Sequence, residues 1–422
     1  MLDIKFIRDN LELVKEGARR KHIEIDMNRL VEMDDMRRGL LASIEEKRAK
    51  QNAFSLTFKK NDRGLDDMEF AGMRRLKNAL EKDEATLKEM MGEWQRLMVA
   101  VPNIPDMSVP EGRDDTENRE ERVWGEKPAF PFGAKSHLEL MQTLDLADFE
   151  RGVKVSGFRG YFLKNDGAML NFAVWQFVSG FFQERGFTPM MVPSLLNRES
   201  LLGTGYLPQG KEDLYITQDG QYLSGTAEVA TMAYYMDEVI DVAKLPLQFS
   251  SFSPCFRREA GSHGKDTKGL MRVHEFFKFE QVVLCEASHE ESVRRHEELT
   301  QNAEKLLQEL ELPYRVVVNC GGDLGLGQVK KYDIETWVPS EERYRETHSA
   351  SYFHDFQTRR LNIRYRDHDG KIKFAHSLNN TAIATPRILI SLIENFQRED
   401  GSIAIPSALQ KYFGKKEITA AL

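Results

Sequence analysis

The stretch Leu247-Gln-Phe-Ser-Ser-Phe-Ser-Pro-Cys-Phe-Arg-Arg-Glu259 reads as one β-strand, and Leu270-Met-Arg-Val-His-Glu-Phe-Phe-Lys-Phe-Glu280 reads as the next. Between them Ala260-Gly-Ser-His-Gly-Lys-Asp-Thr-Lys-Gly269 is polar and glycine-rich, so the three segments predict a hairpin with a long mobile tip. Side chains alternate across a strand. Arg257 and Glu259 therefore share a face, and Arg272, His274, Phe276, Lys278 and Glu280 gather on one face of the partner. The opposite face carries Val273, Phe277, Phe279 and Val283, with Glu275 as its exception. Burying those charges unpaired would cost several kcal/mol each. The charged face is either a solvated surface with cross-strand ion pairs or the floor for a ligand that carries phosphates, an ammonium and a flat ring. Phe276, an aromatic on the side away from the core, favours the floor.

A second element, Lys371-Ile-Lys-Phe-Ala-His-Ser-Leu-Asn-Asn-Thr-Ala-Ile-Ala-Thr-Pro-Arg387, reads as strand, polar turn and the start of a helix. Thr385 is expected to cap that helix and Pro386 to take its first position. Arg387 then stands in the first turn, where helix N-termini attract anions; the alternative is an exposed arginine. Around these two elements, strands are predicted at 222–223, 314–319, 332–338 and 372–377, and helices at 168–185, 226–240, 287–311 and 386–398. Several strands follow one another without a helical crossover, which favours an α+β domain, an antiparallel sheet with flanking helices, over a doubly wound fold. No G-x-G-x-x-G follows a strand and no G-x-x-x-x-G-K-[ST] occurs, so a nucleotide would be held by other means.

Residues 30–98 differ in kind. They lack proline, and Leu30, Met33, Arg37, Leu40, Ile44, Lys47, Gln51, Phe54 and Phe58 recur in steps of three and four, as do Met73, Leu76, Leu80, Asp83, Leu87, Met90, Trp94 and Leu97. That is a heptad seam on each of two helices, with turn chemistry at 59–64 between them. A long antiparallel helical hairpin (a coiled coil) is predicted, its seam leaky at Arg37, Lys47, Gln51 and Asp83. It serves either as a dimerisation coiled coil or as an arm that grips RNA through Arg37-Arg38, Lys47-Arg48, Lys59-Lys60 and Arg74-Arg75. Ahead of it, Ile4, Ile7, Leu11 and Val14 line one face of a short helix. Behind it, three prolines in nine residues mark a linker, which divides the chain into 1–100, a linker at 101–115 and a second domain at 116–422.

Composition bounds the rest. The chain has 422 residues, 41% hydrophobic and 30% charged, with a net charge of −8. It is no general polyanion binder, so any nucleic acid is held by local patches, and DNA is not expected. No apolar run reaches the ~20 residues of a membrane span, and the N-terminus lacks a signal peptide's basic and apolar regions. Cys255, Cys285 and Cys320 form no C-x-x-C pair, so neither a disulfide framework nor a zinc site is expected, and a cytoplasmic location fits.

The two charged elements resemble motifs 2 and 3 of class II aminoacyl-tRNA synthetases, and within them the seryl-tRNA synthetases of bacterial type. Phe256 to Phe276 looks like that family's motif 2 almost throughout, and Thr226-Ala-Glu228 like its T-x-E loop. Leu202-Gly-Thr-Gly-Tyr-Leu-Pro208, Tyr344-Arg-Glu346, Asp355-Phe-Gln-Thr-Arg-Arg360, Val101-Pro-Asn-Ile-Pro105 and Leu2-Asp-Ile-Lys-Phe-Ile-Arg8 also match, and Gly186-Phe-Thr-Pro with Val192-Pro193 is similar to motif 1, the dimer-forming element. The resemblance covers nearly the whole chain. It implies a homodimeric ligase that condenses L-serine with ATP to seryl-adenylate and passes the seryl group to the 3′-terminal adenosine of serine tRNA, whose long variable arm the helical hairpin grips; selenocysteine tRNA is a further option.

Carried over residue by residue, the resemblance makes Arg257 and Arg387 catalytic. It places ATP against Arg257, Glu259, Val273, Phe276, Glu346, Thr347, His348, Ser349 and Arg387, with Phe276 stacked on adenine and Mg²⁺ at Glu346 and Ser349. It places serine against Thr226, Glu228, Arg257, Glu280, Asn379 and Thr381, with Glu228 on the ammonium and Glu280 on the hydroxyl. The chain departs from the family at Asn380, Thr381, Ala382 and Pro386, where Gly, Ser, Gly and Gly are usual. Ala350 and Tyr352 stand for Cys and Asn, and Glu275 for Gln. Added bulk in that third motif is expected to tighten the adenine pocket.

Overall fold

The computed structural model describes residues 1–61, 66–261, 264 and 266–420, with the side chains of 57–61 outside that description. The chain forms two compact units: Leu2–Arg19 with Ile23–Pro102, and Met1, Arg20–His22 and Asn103–Leu422.

In the smaller unit the short N-terminal helix predicted as one piece is two, α1 (Ile4–Asp9) and α2 (Leu11–Arg20). The Asp3 carboxylate starts α1 by accepting from Lys5 N–H at 2.8 Å, while Ile7 and Val14 are fully buried. The long helices are α3 (Met27–Asn61) and α4 (Asp67–Ala100), the latter opened by a capping box between Asp66 and Glu69. They run antiparallel, since Arg29 pairs with Glu93, Arg37 lies over Trp94 and Lys47 pairs with Asp83. The seam is as periodicity predicts, with Leu30, Met33, Ile44, Leu80 and Met90 buried. Its polar positions are partners: Asp83 accepts from Lys47 Nζ at 2.5 Å and from Ser43 Oγ at 2.8 Å. The turn expected at 59–64 falls largely outside the described residues.

The larger unit is built on an eight-stranded sheet of β1 (Arg119–Trp124), β2 (Thr188–Met191), β3 (Leu247–Phe256), β4 (Glu275–Cys285), β5 (Tyr314–Val318), β6 (Lys330–Val338), β7 (Arg343–His354) and β8 (His376–Thr385). The spatial order is β1-β5-β6-β7-β8-β4-β3-β2. All neighbours are antiparallel except β2 with β3. Helices α5 (Asn165–Glu184), α7 (His289–Glu309) and α9 (Arg387–Asn395) supply apolar faces to the core, while α6 (Ala227–Ala233) and α8 (Phe356–Leu361) give Met232 and Leu361 to a second, smaller apolar cluster. Phe182, Leu306, Val316, Ile334 and Ile390 are completely buried there.

The antiparallel α+β architecture agrees with the sequence reading, but several local expectations do not hold, among them the helix expected at 226–240, which ends at Ala233 and is followed by a short strand at Val239–Asp241. The strand expected from Leu270 begins only at Glu275; residues 270–274 are irregular, and Leu270, Met271 and Val273 are buried against the body. The segment 378–385, read as a polar turn, is the body of β8, a central strand. β7 was not foreseen at all. Thr385 does not cap α9: its Oγ1 accepts from Trp175 Nε1 at 2.9 Å, and Pro386 precedes the helix, whose first residue is Arg387.

Candidate active site

A cleft of about 430 Å³ opens over β3, β4, β7 and β8. Alternation along β4 turns Phe276, Lys278 and Glu280 to it, and β8, paired through Thr381 opposite Glu280, adds Asn379 and Thr381. On β7 alternation alone would separate Glu346 from Thr347 and Ser349. The ladder to β6 shifts there, with His348 opposite Ile334 but Glu346 opposite Glu335, so Thr347 is an extra residue. This bulge brings Glu346, Thr347 and Ser349 all to the cleft. Arg257 and Glu259 follow β3, held where Arg257 N–H donates to His274 O at 2.9 Å. Arg387 comes from the first turn of α9. The walls are residues 204–210 and 325–328.

One end of the cleft holds two buried carboxylates. Glu228 and Glu280 are 4% and 2% exposed, a burial that calls for partners on every oxygen. Glu228 accepts from Gln357 Nε2 at 2.6 Å and from Tyr206 Oη at 3.0 Å. Glu280 forms an ion pair with Lys278 and accepts from Thr226 Oγ1 at 3.3 Å. Thr226 caps α6, and its side chain accepts from Glu228 N–H at 3.3 Å, so one residue steadies both acids. Burial, and then the charge of Glu280, push the Glu228 carboxyl above its ordinary range.

The other end is cationic. Arg257 lies 5.2 Å from the Phe276 ring centre, and its Nε donates to Gly225 O at 3.3 Å. Arg272 pairs with Glu259 at 2.6 Å and reaches Asp266 at 3.6 Å, while Arg345 binds Asp266 at 2.6 Å. Arg387 donates to Met271 O at 3.2 Å and to Glu346 O at 3.0 Å, with the Glu346 carboxylate 3.7 Å away. A carbonyl partner leaves the guanidinium charge of Arg257 largely uncompensated, and Arg387 has only the Glu346 carboxylate at 3.7 Å against it, which suits an anion between the two arginines.

Of the residues singled out by sequence, Arg257, Glu259, Val273, Phe276, Glu346, Thr347, Ser349, Arg387, Glu228, Glu280, Asn379 and Thr381 line this cleft. Two do not. Thr226 lies behind Glu280. His348 is 1% exposed and turned inward, its Nδ1 within 2.9 Å of Thr347 Oγ1 and its Nε2 within 3.0 Å of Ala382 O; burial pushes its pKa down to about 4. His274 also leaves the charged face and meets Phe158 and Tyr215 instead. Of the atypical residues, Thr381 and Pro386 line the cleft. Asn380 points away and donates to Leu299 O of α7 at 2.7 Å, and Ala382 is fully buried. The expected tightening of the pocket thus reduces to Thr381 and Pro386. Tyr206 and Gln357, which hold Glu228, were missed as site residues; only their place in quoted family segments marked them.

Among the described residues no group of three or more His, Cys, Asp or Glu is placed to hold a metal ion. Glu346 and Ser349 nonetheless offer two hard oxygens on one wall of the cleft. That donor set fits Mg²⁺ at a phosphate site, where waters and substrate oxygens fill the remaining positions.

Residues 1–105 match the family described as the seryl-tRNA synthetase N-terminal domain, and residues 215–396 match the tRNA synthetase class II core domain (G, H, P, S and T). The serine–tRNA ligase of Deinococcus radiodurans is 46% identical over 420 residues, which is 99% of each chain. The crystal structure of seryl-tRNA synthetase from Pyrococcus horikoshii complexed with ATP superposes with a TM-score of 0.92 at 38% identity, over 100% of both chains. The cytoplasmic serine–tRNA ligase of Naegleria fowleri in complex with AMP gives 0.88 at 30% identity, over 100% of this chain and 99% of that one.

Proposed function

The chain belongs to the seryl-tRNA synthetase family, and from that premise we propose that it activates L-serine with ATP and loads the seryl group onto serine tRNA. The observation that carries this reading is the polarity of one cleft: buried carboxylates at one end, guanidinium groups at the other, a flat aromatic between.

Serine binds with its ammonium on Glu228 and its hydroxyl between Glu280 and Thr381, with Thr226 bracing Glu280 from behind. Alanine would leave those buried polar groups unpaired, a strong basis for rejection. ATP binds with its adenine on Phe276 and near Glu259 and Val273. Activation joins a serine carboxylate oxygen to the α-phosphorus as pyrophosphate departs. Both reactants are anions, so the barrier falls chiefly through positioning and charge neutralisation. Arg257 takes the carboxylate and α-phosphate together, and Arg387 takes the terminal phosphate. Glu346 and Ser349 would hold Mg²⁺, which when bound supplies further neutralisation of phosphate charge. The transfer step then joins the seryl carbonyl to a ribose hydroxyl of the 3′-terminal adenosine as AMP departs.

The helical hairpin is read as the arm that grips the long variable arm of the tRNA, by shape and phosphate contacts. A homodimer is supported by an unpaired edge at β2, where Met191 is 85% exposed, and by Met169 and Phe172 exposed on α5. A cytoplasmic setting agrees with three buried free thiols. Charging of a serine tRNA transcript with labelled serine tests the whole reading. Serine ester formation dependent on ATP is the expected result; no charging of serine tRNA with active enzyme and intact transcript would refute it.

A further inference from the structure

Glu228 takes the ammonium of serine in the reading above, and the following inference rests on that assignment. A lone carboxylate buried beside a second one would turn, or take up a proton, unless something held it. We propose that Gln357 is a positioning residue for the amino-acid pocket: its amide fixes the Glu228 carboxylate, ionised and correctly turned, to receive the substrate ammonium.

The amide is 1% exposed and all three of its strong bonds are made within the protein. Nε2 donates to Glu228 Oε1 at 2.6 Å and to Thr204 O at 3.2 Å. Oε1 accepts from Ser377 Oγ at 2.7 Å. This network admits one orientation of the amide. The flipped form would face its oxygen to a carboxylate and a carbonyl, two acceptors with no proton between them. Gln357 therefore works as a donor toward Glu228, and a donor stabilises the charged form of its acceptor. Tyr206 holds the other oxygen at 3.0 Å.

The remaining charged and titratable groups facing Glu228 are Glu280 and Lys278 on β4 and Tyr206 on the 204–210 wall, with Arg257 in turn facing Tyr206. Burial and the charge of Glu280 favour protonating Glu228, and the amide of Gln357 opposes them, with Lys278 and Tyr206 acting in the same sense. Ser377 belongs to β8 and Gln357 to α8, so the donor is set by the same strand that carries Asn379 and Thr381. Neither Gln357 nor Ser377 lines the cleft, and neither touches substrate in this account.

The test is steady-state ATP–pyrophosphate exchange across pH with two variants of the full chain, Gln357→Met and Ser377→Ala, with thermal melts as a check on folding. Loss of a hydrogen bond to a charged group raises KM for serine about 10- to 100-fold in Gln357→Met. KM for ATP stays unchanged and kcat moves little, because ammonium binding is shared by ground and transition states. The acid limb of kcat/KM for serine moves to higher pH, since the ionised form of Glu228 has lost a donor. Ser377→Ala shows the same signature at smaller amplitude, and it decides the matter if Gln357→Met does not fold. A folded variant with unmoved serine KM and unmoved acid limb overturns the proposal. So does an equal loss through kcat and both KM values, the mark of a merely structural role. A wild type without serine-dependent exchange overturns the functional reading itself; a serine-dependent wild type with unmoved variants overturns only the role of Gln357.

Discussion

Replacing Arg257 by Ala should remove most of the catalysis and little of the fold. Within the protein this side chain makes one 3.3 Å hydrogen bond to Gly225 O and stands 5.2 Å from the Phe276 ring. A single neutral acceptor is worth about 1 kcal/mol and a partly buried cation–π contact about 1 kcal/mol more. The expected loss of stability is therefore about 2 kcal/mol, which a domain of this size survives. The guanidinium's charge is otherwise turned to the cleft, where two anions must meet. Removing one preorganised donor of this kind costs about 10²–10³ in rate, or about 3–4 kcal/mol of barrier. The assay is serine-dependent ATP–pyrophosphate exchange beside a thermal melt. Folded Arg257→Ala enzyme should exchange at least about a hundredfold more slowly than wild type. Exchange within tenfold of wild type in a folded variant would refute the role of Arg257.

Three further outcomes are expected. Deleting 36–94 should spare exchange but cripple charging of serine tRNA; equal loss of both would make the helical hairpin structural. Lys21, 3% exposed, donates through Nζ to Gly325 O and Leu326 O at 3.0 Å and Gln328 O at 2.5 Å, carbonyls of the loop that walls the cleft. Lys21→Met should lower stability by about 2 kcal/mol in denaturant unfolding, because three acceptors lose their donor, and an unchanged midpoint would contradict this. His296 and His348 are buried with pKa values pushed down to about 4 by desolvation. With an unfolded value of about 6.5, the unfolded chain binds these protons first, so each contributes stability above pH about 6.5 that is lost as pH falls toward 4, up to about 3 kcal/mol apiece. NMR titration should show neither ring protonating between pH 7 and 5 while the chain is folded.

Periodicity in the sequence is informative where packing alone decides the residues. The seam of α3 and α4 was readable because Leu30, Met33, Ile44, Leu80 and Met90 recur in heptad steps, and its polar interruptions were readable as interruptions, though not as the Lys47–Asp83 pair. β3 was legible from its start at Leu247 for a similar reason, though the reading ran three residues past its end at Phe256. β7 and β8 were not, because they are central strands whose polar residues are kept for the cleft: His-Ser-Leu-Asn-Asn-Thr looks like a turn until its partners are known. The composition that hid these strands is the composition that makes them a site.

The same holds for single residues. Alternation placed Phe276, Lys278 and Glu280 correctly, since a regular strand carries its own register. It failed at His274, which precedes the strand. On β7 the shift in the ladder at Thr347, which sets His348 inward and Glu346 outward, is decided by pairing with β6. Gln357 and Tyr206 reach Glu228 across 129 and 22 residues of chain, a proximity that no local pattern encodes.

The central claim is that this cleft activates serine and reads its hydroxyl. Amino-acid-dependent ATP–pyrophosphate exchange with serine, threonine, alanine and glycine tests it most directly. Exchange with serine should exceed that with each of the others by orders of magnitude. Exchange with none of them, or with alanine as fast as with serine, would contradict it.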